Sequence, residues 1–522
     1  MNPLDVSTLI GTFGRYQFLV MMVTVLRAFP TSWTLTSIDF IAGDVDHWCA
    51  PPNREVWNQD HWKATAIPSK DGKQSRCQHH RIVNGQLWFN ETVDCADWEY
   101  DEAAPSSALV EWHLVCGRDW MRSAMQSVTF VGQFFGALII GRLADQYGRR
   151  YMLNVSSVCM FIFAVLGSFS PTVHIFNMLR FVQAVAVSGL QTTSAALFTE
   201  ISLPRDRNLL NIGFSLGFTV PMILLPFLAY GLDNWRAVQA AAGLSTILML
   251  PVLVVLEESP RWLLSKGRIS DAKSALTKIF RMNRRQVPDL EAMVPALLSK
   301  VQADSATGEN AGLKEIWKHR NLRKNVLFLF AFWFLENLFY FSNAFLATRL
   351  GGSRFVSFSV SAAAEIPGGL LSIYIIRHMA RRKSLFILLI LAALAASLLA
   401  VLSPELFVLR LGLNMTCRFL LVMTTAIKWV YTFEVLPTQA RSFGFACCYC
   451  FGRVGGMIAP FMRDLFRWKP PVPFAILGTC AILAALILKF LPETLNVDLP
   501  DSFSESDKLG EKEKNEKSLA NH

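Results

Sequence analysis

The feature that most constrains this chain is a series of apolar runs of roughly 20 residues, the length at which a helix crosses a bilayer core of about 30 Å. Twelve runs lie near residues 16–43, 120–142, 152–170, 174–198, 208–230, 236–256, 324–346, 354–376, 384–402, 406–432, 442–466 and 472–491. Only 17% of the residues are charged, against about 25% in soluble proteins. The sequence therefore predicts an all-α membrane protein with twelve transmembrane helices in two six-helix halves, and excludes a soluble enzyme, a disordered chain or a small disulfide scaffold.

Charge is distributed unevenly between the two longest segments outside these runs. Residues 44–119 contain 7 Lys and Arg against 13 Asp and Glu, whereas residues 257–324 contain 14 Lys and Arg. Positive charge accumulates on the cytoplasmic side of membrane proteins, so topology explains the net charge of +10 and we expect no nucleic acid partner. The predicted order is a cytoplasmic N-terminus (1–15), an N-terminal half (16–256) with an extracellular loop (44–119), a cytoplasmic loop (257–323), a C-terminal half (324–491) and a cytoplasmic tail (492–522). The tail is polar, and we expect it to be disordered.

The acidic loop also carries features of an oxidising compartment. It contains four cysteines, Cys49, Cys77, Cys95 and Cys116. An even number predicts two disulfides, with three possible pairings. Asn90 opens the glycosylation sequon Asn90-Glu91-Thr92, which is used only outside the cell. These features favour a multi-pass plasma-membrane protein with both termini in the cytoplasm, and we consider oligomerisation through this loop.

An internal repeat relates the two halves. An acid–base pair seven residues apart ends the fourth and tenth runs, and a glutamate ends the sixth and twelfth: Glu200 and Arg207, Glu434 and Arg441, Glu258 and Glu493. The offsets between the halves are 234 and 235 residues. Two halves in parallel repeat favour a transporter whose substrate site lies between them, near the middle of the membrane.

The segment between the second and third runs, GRLADQYGRR at 141–150, resembles the signature loop of the major facilitator superfamily. The residues that match the signature are the glycines Gly141 and Gly148, the acid Asp145 and the final arginines Arg149 and Arg150. We expect the glycines to permit close approach and a sharp turn, and the acid to cap a helix or pair with an arginine. The equivalent segment 377–383 keeps the basic residues but has no glycine or aspartate, which puts an equivalent ion pair there in question.

Further motifs resemble the organic cation, anion and zwitterion transporter family. They are GTFGRYQ at 11–17, EWHLVC at 111–116, ESPRWL at 258–263 with Arg261, EVLPTQAR at 434–441 and PET at 492–494. The resemblance implies transport of small organic ions by alternating access, with gating or structural roles for the charged residues of these motifs. Motifs for ATP binding or zinc-dependent hydrolysis are absent, so we expect neither a primary pump nor an enzyme, and neither a cofactor nor a metal site.

Ionisable side chains inside the apolar runs are the main candidates for substrate contact, because a charge at the bilayer centre costs about 2.5–3.5 kcal/mol on insertion scales. Arg453 lies in FGRVGG, which resembles a motif of the anion-transporting branch, whereas cation transporters of the family have aspartate there. A guanidinium attracts a carboxylate and repels an ammonium group. Lys428 adds a second positive charge, and Arg418 matches a position to which we assign a structural role.

Three acids oppose these bases: Asp39, Glu336 and Glu365. Each either pairs with a base or binds a cation or proton. Aromatic residues of the seventh run, Trp333, Tyr340 and Phe341, would hold a flat organic ion by stacking or by cation–π attraction. Tyr340 and Phe341 match a tyrosine pair that lines the pocket in relatives.

The sequence therefore favours a polyspecific transporter of organic anions, acting by facilitated diffusion or by exchange with a counter-ion. Where some anion carriers have a lysine, this chain has Gly369, which keeps open an organic cation or a carnitine-like zwitterion as the substrate. A transporter-like receptor that binds a ligand without turnover is an alternative of another class. It is disfavoured because the loop at 141–150 and the Glu/Arg pairs are intact.

Overall fold

The computed structural model describes residues 5–53, 57–70, 73–83, 86–101, 105–203, 206, 208–309, 313–495, 497, 500 and 502–509 of the 522-residue chain. Eleven helical segments among them are long and apolar enough to cross a membrane, and the shorter apolar helix Gly217–Leu232 lies inside Asn208–Leu232. Each predicted run falls on one of these twelve segments, which we call spans 1 to 12.

The spans are formed, in order, by Arg15–Leu26 with Ala28–Thr36 and Ile38–Ile41; Trp120–Tyr147; Arg149–Ser168; Val173–Ile201; Asn208–Leu232; Trp235–Leu244 with Ser245–Met249 and Leu250–Val255; Arg320–Leu346; Arg354–Ala363 with Glu365–His378; Arg381–Val401; Phe407–Val435; Arg441–Ile458 with Ala459–Phe461 and Met462–Trp468; and Pro471–Leu488.

Four spans are interrupted, and each of the four contains a proline close to an interruption. Proline has no N–H, so it removes the helical hydrogen bond to the carbonyl four residues earlier. Spans 1, 6, 8 and 11 contain Pro30, Pro251, Pro367 and Pro460 just after the point at which the regular α-helix stops or tightens. In span 8 the missing bond would reach Ala363, the last residue of the first segment, and Glu365 begins the next.

The packing of the spans repeats between the halves. Span 3 packs on spans 4 and 6, as span 9 packs on spans 10 and 12, and the pairing of spans 1 and 5 corresponds to that of spans 7 and 11. The halves meet where span 2 packs on span 11 and span 5 packs on span 8. This arrangement leaves a central space between two similar bundles.

One end of the molecule, called the loop end, carries the segment 44–119. Its strands pair antiparallel as His47–Cys49 with Trp98–Tyr100, Ser69–Lys70 with Lys73–Gln74, and Gln78–Val83 with Gln86–Asp94, and its short helices are Gln59–Thr65, Ala108–Glu111 and Cys116–Arg118. Disulfides join Cys49 to Cys95 and Cys77 to Cys116, which selects one of the three possible pairings. His47 lies near the disulfide between Cys77 and Cys116. The two sulfurs of this disulfide are bonded to each other, so they do not form a metal site with His47. Asn90 is exposed on the longest strand.

The opposite end, called the tail end, carries the helices Val6–Ile10, Pro260–Ser265, Ile269–Met282, Leu290–Glu309, Leu313–Lys318 and Phe503–Asp507. The expectation of a disordered tail is wrong for its described part. The helix Phe503–Asp507 docks on the C-terminal half, because Asp507 accepts a hydrogen bond from the Leu322 amide at 2.9 Å and the Ser506 hydroxyl donates to the Val435 carbonyl at 2.8 Å.

Candidate functional site

A central cavity of about 170 Å³ lies between the two halves. The N-terminal half contributes Arg27, Ala28, Thr31, Leu35, Gln191, Phe218 and Thr219, and the C-terminal half contributes Trp333, Asn337, Tyr340, Phe341, Glu365, Val422, Thr425, Ala426, Lys428, Trp429, Tyr449 and Arg453. Pockets for drug-sized ligands measure roughly 300–1,000 Å³. The cavity in this conformation therefore fits only a small organic ion, and a larger substrate requires the halves to separate.

Lys428 of span 10 lines the cavity but is already paired. Its ammonium group forms a salt bridge with the carboxylate of Glu336 on span 7, and both side chains are buried. The Thr425 hydroxyl donates to the other oxygen of the same carboxylate. The Lys428 nitrogen also lies 4.2 Å from the centre of a Trp333 ring. Glu336 therefore neutralises the positive charge that the sequence offered for an anion.

Arg418 and Glu365 form the second buried pair. The Arg418 Nη2 atom lies 2.8 Å from Glu365 Oε1, and the Tyr340 hydroxyl donates to the same oxygen at 2.9 Å. The Thr219 hydroxyl of span 5 donates to Glu365 Oε2, also at 2.9 Å. Arg418, assigned only a structural role from the sequence, thus fixes an acid of the cavity wall. Glu365 also links the two halves through Thr219.

Arg453 differs from both of these bases. Its side chain is 6% exposed and lines the cavity, and its Nη2 atom donates a hydrogen bond to the Tyr449 hydroxyl. Among the described residues it forms no salt bridge, and its Nε atom has no hydrogen-bond partner. Three residues further along, span 11 packs closely on span 2, because a Cβ at Gly456 would lie 2.5 Å from the Phe130 ring. The guanidinium charge of Arg453 is therefore not neutralised by a described acid.

Aromatic rings surround this guanidinium. Its central carbon lies 4.4 Å from the centre of the Tyr449 ring and 6.0 Å from that of Phe341. Phe341 contacts Tyr340 and Phe130 edge to face, with ring centres 5.1 and 4.7 Å apart. Trp333 is fixed by a hydrogen bond from its Nε1 atom to the Thr432 hydroxyl at 3.0 Å. The predicted aromatic residues are thus brought together with Arg453 in one wall.

Asp39, which the sequence predicts as a substrate contact, does not line the central cavity in this conformation. It lies at the loop end, where Arg463 of span 11 donates to its Oδ1 atom at 2.8 Å. The same arginine donates to the Ser123 hydroxyl of span 2 at 3.1 Å. Span 1 carries Asp39 beyond the cavity level, and its charge is satisfied by an interaction between the halves.

Asp44 collects further arginines at the loop end. Its carboxylate forms salt bridges with Arg122 of its own half and with Arg349 and Arg467 of the other half. Arg467 also pairs with Asp119 at the start of span 2. These residues, with Asp39 and Arg463, form the loop-end ion cluster, beside which lies a second cavity of about 400 Å³.

At the tail end, the signature-loop residues of the first half assemble as expected. The Arg149 Nε atom lies 3.0 Å from Glu200 Oε1, and Arg149 pairs with Asp145 at 2.7 Å. Glu258 accepts the backbone N–H groups of Arg149 and Arg150 at 2.9 and 3.0 Å, where a carboxylate is favoured by the helix dipole. This arrangement fixes the start of span 3 to the end of span 6.

Of the two loop glycines, only Gly148 behaves as expected. Its φ of +110° makes the turn between spans 2 and 3, and a Cβ there would collide with Glu258. A Cβ at Gly141 would meet no described atom within 4 Å, so the predicted close approach is absent there. Arg207 lies outside the described residues. Arg261 follows the Glu258 cap in the helix Pro260–Ser265, which Ser259 caps at its N-terminus.

The second half contains the equivalent interactions without the aspartate. The Arg381 Nη2 atom lies 3.2 Å from Glu434 Oε1, and Glu493 accepts the Arg382 backbone N–H at 3.2 Å. Arg441 donates to the Leu436 carbonyl at 3.3 Å. The aspartate pair that the sequence put in question has no counterpart here, whereas the pair equivalent to Arg149–Glu200 is present because the basic residues at the start of span 9 meet both glutamates.

Sequence reasoning missed several residues of the cavity and of the loop-end ion cluster. Tyr449 lies four residues before Arg453, a spacing that puts both on one helix face and could have identified it. Gln191 and Arg463 are polar or charged residues inside predicted runs, which is the same signal that drew attention to Asp39. Asp44 lies at the end of a run, where charged residues are common, so the sequence gave no reason to select it.

Comparison with known proteins identifies the family of this chain. A family model described as "Sugar (and other) transporter" matches residues 82–502. This chain belongs to that family. The "Organic cation transporter protein" of Drosophila melanogaster is 27% identical over 97% of this chain and 95% of its own length. The "Organic cation/carnitine transporter 2" of Mus musculus is 27% identical, covering 96% of this chain and 93% of its own. The resemblance drawn from the sequence motifs is thus confirmed.

Solved structures of similar fold include the inward-open xylose transporter XylE of E. coli. It is 16% identical, covers 94% of this chain and 99% of its own, and has a TM-score of 0.62. A partially occluded inward-open form of XylE is 15% identical, covers 92% of this chain and 98% of its own, and has a TM-score of 0.63. The expected twelve-helix major facilitator fold is confirmed, and the protein is a membrane transporter and not an enzyme.

Proposed function

We propose that this transporter carries small organic ions that bear a carboxylate across the plasma membrane by alternating access. The proposal depends on Arg453, whose guanidinium faces the central cavity without an acidic partner among the described residues. Lys428 and Arg418, in contrast, are each neutralised by a buried glutamate. Of Lys428, Arg418 and Arg453, only Arg453 therefore has no acidic partner among the described residues, and an organic anion is the simplest ligand for it.

The chemistry of the guanidinium supports a carboxylate as the group it binds. An arginine presents a planar set of N–H donors that matches the two oxygens of a carboxylate, and charge-assisted hydrogen bonds of this kind are among the stronger ones. The partly dry, aromatic wall strengthens the attraction because few waters screen it. Phe341 and Tyr449 flank the guanidinium and would contact the apolar part of the same ion.

A zwitterion with a carboxylate and a quaternary ammonium group is the second candidate. The observation that favours it is the aromatic wall of the cavity, to which Trp333, Tyr340 and Phe341 contribute. Aromatic faces attract ammonium groups. One relative is named an organic cation/carnitine transporter and another an organic cation transporter protein. A cation without a carboxylate would leave Arg453 repelling its ligand.

The disulfides support an orientation for the transport cycle. Cys49–Cys95 and Cys77–Cys116 both lie in the loop-end segment, and disulfides persist in oxidising compartments. The exposed Asn90 sequon lies in the same segment. We therefore assign the loop end to the extracellular side and the tail end, with both termini, to the cytoplasm. A glycosidase-sensitive mass shift that disappears in Asn90→Gln would test this orientation.

Uptake into expressing oocytes tests the substrate. Three labelled probes would be compared: an aromatic monocarboxylate, a quaternary ammonium ion, and a trimethylammonium carboxylate. We expect uptake of the monocarboxylate, and a fall in uptake efficiency of about 10- to 100-fold in Arg453→Ala, because a hydrogen bond to a charged group is worth about 1.5–3 kcal/mol. Arg453→Asp should lose this uptake completely, and Arg453→Lys should retain part of it.

The matched control is Arg377→Ala, which removes an exposed arginine from span 8. Surface expression would be measured for every variant. Uptake of the trimethylammonium carboxylate alone would select the second candidate, and uptake of the quaternary ammonium ion that survives Arg453→Ala would reject the carboxylate requirement. Binding of a probe without its osmotic trapping inside the cell would favour a receptor.

A further inference from the structure

A hydrogen-bonded chain runs from Arg453 to the opposite half of the molecule. The Tyr449 hydroxyl accepts a hydrogen bond from the Arg453 guanidinium and donates one to Gln191 Oε1 at 2.9 Å. Tyr449 and Arg453 belong to span 11, whereas Gln191 belongs to span 4. A single hydroxyl therefore joins the unneutralised charge of the C-terminal half to an amide of the N-terminal half.

The local helix geometry makes the hydrogen bond between Tyr449 and Gln191 dependent on Arg453. Tyr449 and Arg453 are four residues apart, so their side chains lie one above the other on the same face of span 11. The guanidinium carbon lies 4.4 Å from the centre of the Tyr449 ring. Tyr449 is 9% exposed, so its ring has little freedom to move while the guanidinium keeps its position. A change in the direction of the guanidinium therefore changes the surroundings of the hydroxyl.

A substrate carboxylate would compete with Tyr449 for the same donors. It carries a full negative charge, whereas the tyrosine hydroxyl is neutral, so the guanidinium binds the carboxylate more strongly. The hydroxyl then loses the hydrogen bond that orients it toward Gln191. The interaction between spans 4 and 11 is then weaker with a carboxylate bound than in the empty cavity, and a ligand can shift a conformational equilibrium only through such a difference between states.

We propose that Tyr449 and Gln191 are positioning residues that restrain the empty transporter, and that a carboxylate bound to Arg453 releases this restraint. The inference depends on the proposed function, because it needs a substrate that engages Arg453. It predicts that the loaded transporter changes conformation faster than the empty one. Exchange of substrate for substrate is then faster than net efflux.

The second inter-half hydrogen bond of the cavity provides a comparison. Thr219 of span 5 donates to Glu365 of span 8 at 2.9 Å, and Glu365 is held by Arg418. This bond is attached to a neutralised ion pair, so a substrate carboxylate has no free charge there to compete for. Thr219→Val should therefore alter the rates of exchange and of net efflux to the same degree.

The test measures efflux of a labelled aromatic monocarboxylate from preloaded oocytes, with and without the unlabelled compound outside. Wild type should show faster efflux with substrate outside. Tyr449→Phe keeps the ring but removes the hydroxyl, and Gln191→Met keeps the length but removes the acceptor. Each should accelerate efflux without external substrate, bringing the ratio of the two rates close to one, and Tyr449→Phe should also lower KM because Arg453 loses its internal partner.

The double variant should resemble either single variant, because both remove the same interaction. Tyr374→Phe, at an exposed tyrosine of span 8, is the matched control and should keep the wild-type ratio. The two substitutions lie on different spans, so a folding defect in one leaves the other informative. A wild-type ratio in both well-expressed variants, or a wild-type transporter without faster exchange, would overturn the inference while leaving carboxylate transport intact. Absence of carboxylate uptake by wild type would instead overturn the proposed function and the inference with it.

Discussion

The two ends of this transporter use ion pairs in different ways. At the loop end, the described pairs that cross between the halves are Asp39–Arg463, Asp44–Arg349, Asp44–Arg467 and Asp119–Arg467. At the tail end, the described pairs of the signature segments stay within one half and are Arg149–Asp145, Arg149–Glu200, Arg150–Glu257 and Arg381–Glu434. The same residue types therefore hold the halves together at one end and build each half at the other.

This difference indicates which interactions must break during transport. If the halves rock about the central cavity, pairs that cross the interface separate in each cycle, whereas pairs inside one half persist. The structure has its loop end closed by the loop-end ion cluster. Substitutions at the two ends should consequently change different observables: accessibility of the cavity at the loop end, and stability of the fold at the tail end.

Breaking the Asp39–Arg463 pair should have the largest effect. Both side chains are nearly fully buried, and removing one partner of a buried pair costs about 3–5 kcal/mol because the other charge is left unpaired. Asp39→Ala should therefore abolish most uptake and expose a cysteine introduced at Leu35, in the cavity wall, to a membrane-impermeant maleimide added from the loop end. Labelling and uptake would be measured on the same cells.

The double variant Asp39→Ala with Arg463→Ala is the control for this pair. The double variant removes both charges, so its loop end should close better than that of either single variant. The effects of the two substitutions on labelling and uptake should therefore not add. Unchanged labelling of the Leu35 cysteine in both single variants would contradict a closing role for this pair.

Removing the Asp44 carboxylate should have the next largest effect. Asp44 is 30% exposed, so water compensates part of the loss, but Arg122, Arg349 and Arg467 lose a common partner. We expect Asp44→Asn to reduce uptake about tenfold, which corresponds to about 1.4 kcal/mol, and to increase labelling at the same cysteine. Asp46→Asn is the matched control, because Asp46 pairs with Arg76 in the same loop and both are more than half exposed. Exposed pairs contribute about 0–1 kcal/mol, so Asp46→Asn should behave as wild type.

At the tail end, Arg149→Ala and Arg381→Ala should lower stability to a similar degree. The two pairs have almost the same burial, with 14 and 16% of the side chains exposed in Arg149–Glu200 and 13 and 16% in Arg381–Glu434. We expect a loss on the order of 1–2 kcal/mol in each, measured as a lower melting temperature of the detergent-solubilised protein. Labelling from the loop end should remain as in wild type. Arg142→Ala, an exposed position of the same loop, is the control, and increased loop-end labelling in Arg381→Ala would remove the distinction between the ends.

Much of the fold could be predicted from the sequence because it depends on local properties. The apolar runs identified all twelve spans, and the matched glutamates revealed the repeat. One interruption in each of spans 1, 6, 8 and 11 also follows from a single proline, although the sequence analysis treated these spans as continuous. The second interruption of span 1, at Ser37, has no proline beside it. The docked helix Phe503–Asp507 was missed because its polar composition resembles that of a disordered tail and its stability comes from contacts with span 7 and with the end of span 10.

The candidate site was less predictable because ion-pair partners are chosen by packing between helices. A charge inside an apolar run indicates that a partner or a cavity exists, but not which one. Glu336 and Glu365 could have paired with any of three bases, and their partners, Lys428 and Arg418, depend on the rotation of span 10 against spans 7 and 8. Arg453 was selected by its resemblance to a family motif, whereas its contact with Tyr449 and the link to Gln191 required the folded arrangement of span 11 against span 4.

The smallest effect is expected for Asp145→Asn, and it sharpens the comparison within the tail end. Asp145 is 72% exposed and, within the part of the chain that the structure describes, pairs with Arg149 alone, which is also held by the partly buried Glu200. An exposed pair of this kind contributes about 0–1 kcal/mol, so uptake should stay within about twofold of wild type. The second half supports this expectation, since Arg381 and Glu434 pair there without an equivalent aspartate. Initial uptake rates normalised to surface expression would test it. A loss of tenfold or more would mean that Asp145 contacts a residue of the opposite half in another conformation, and that the tail end also uses ion pairs to join the halves.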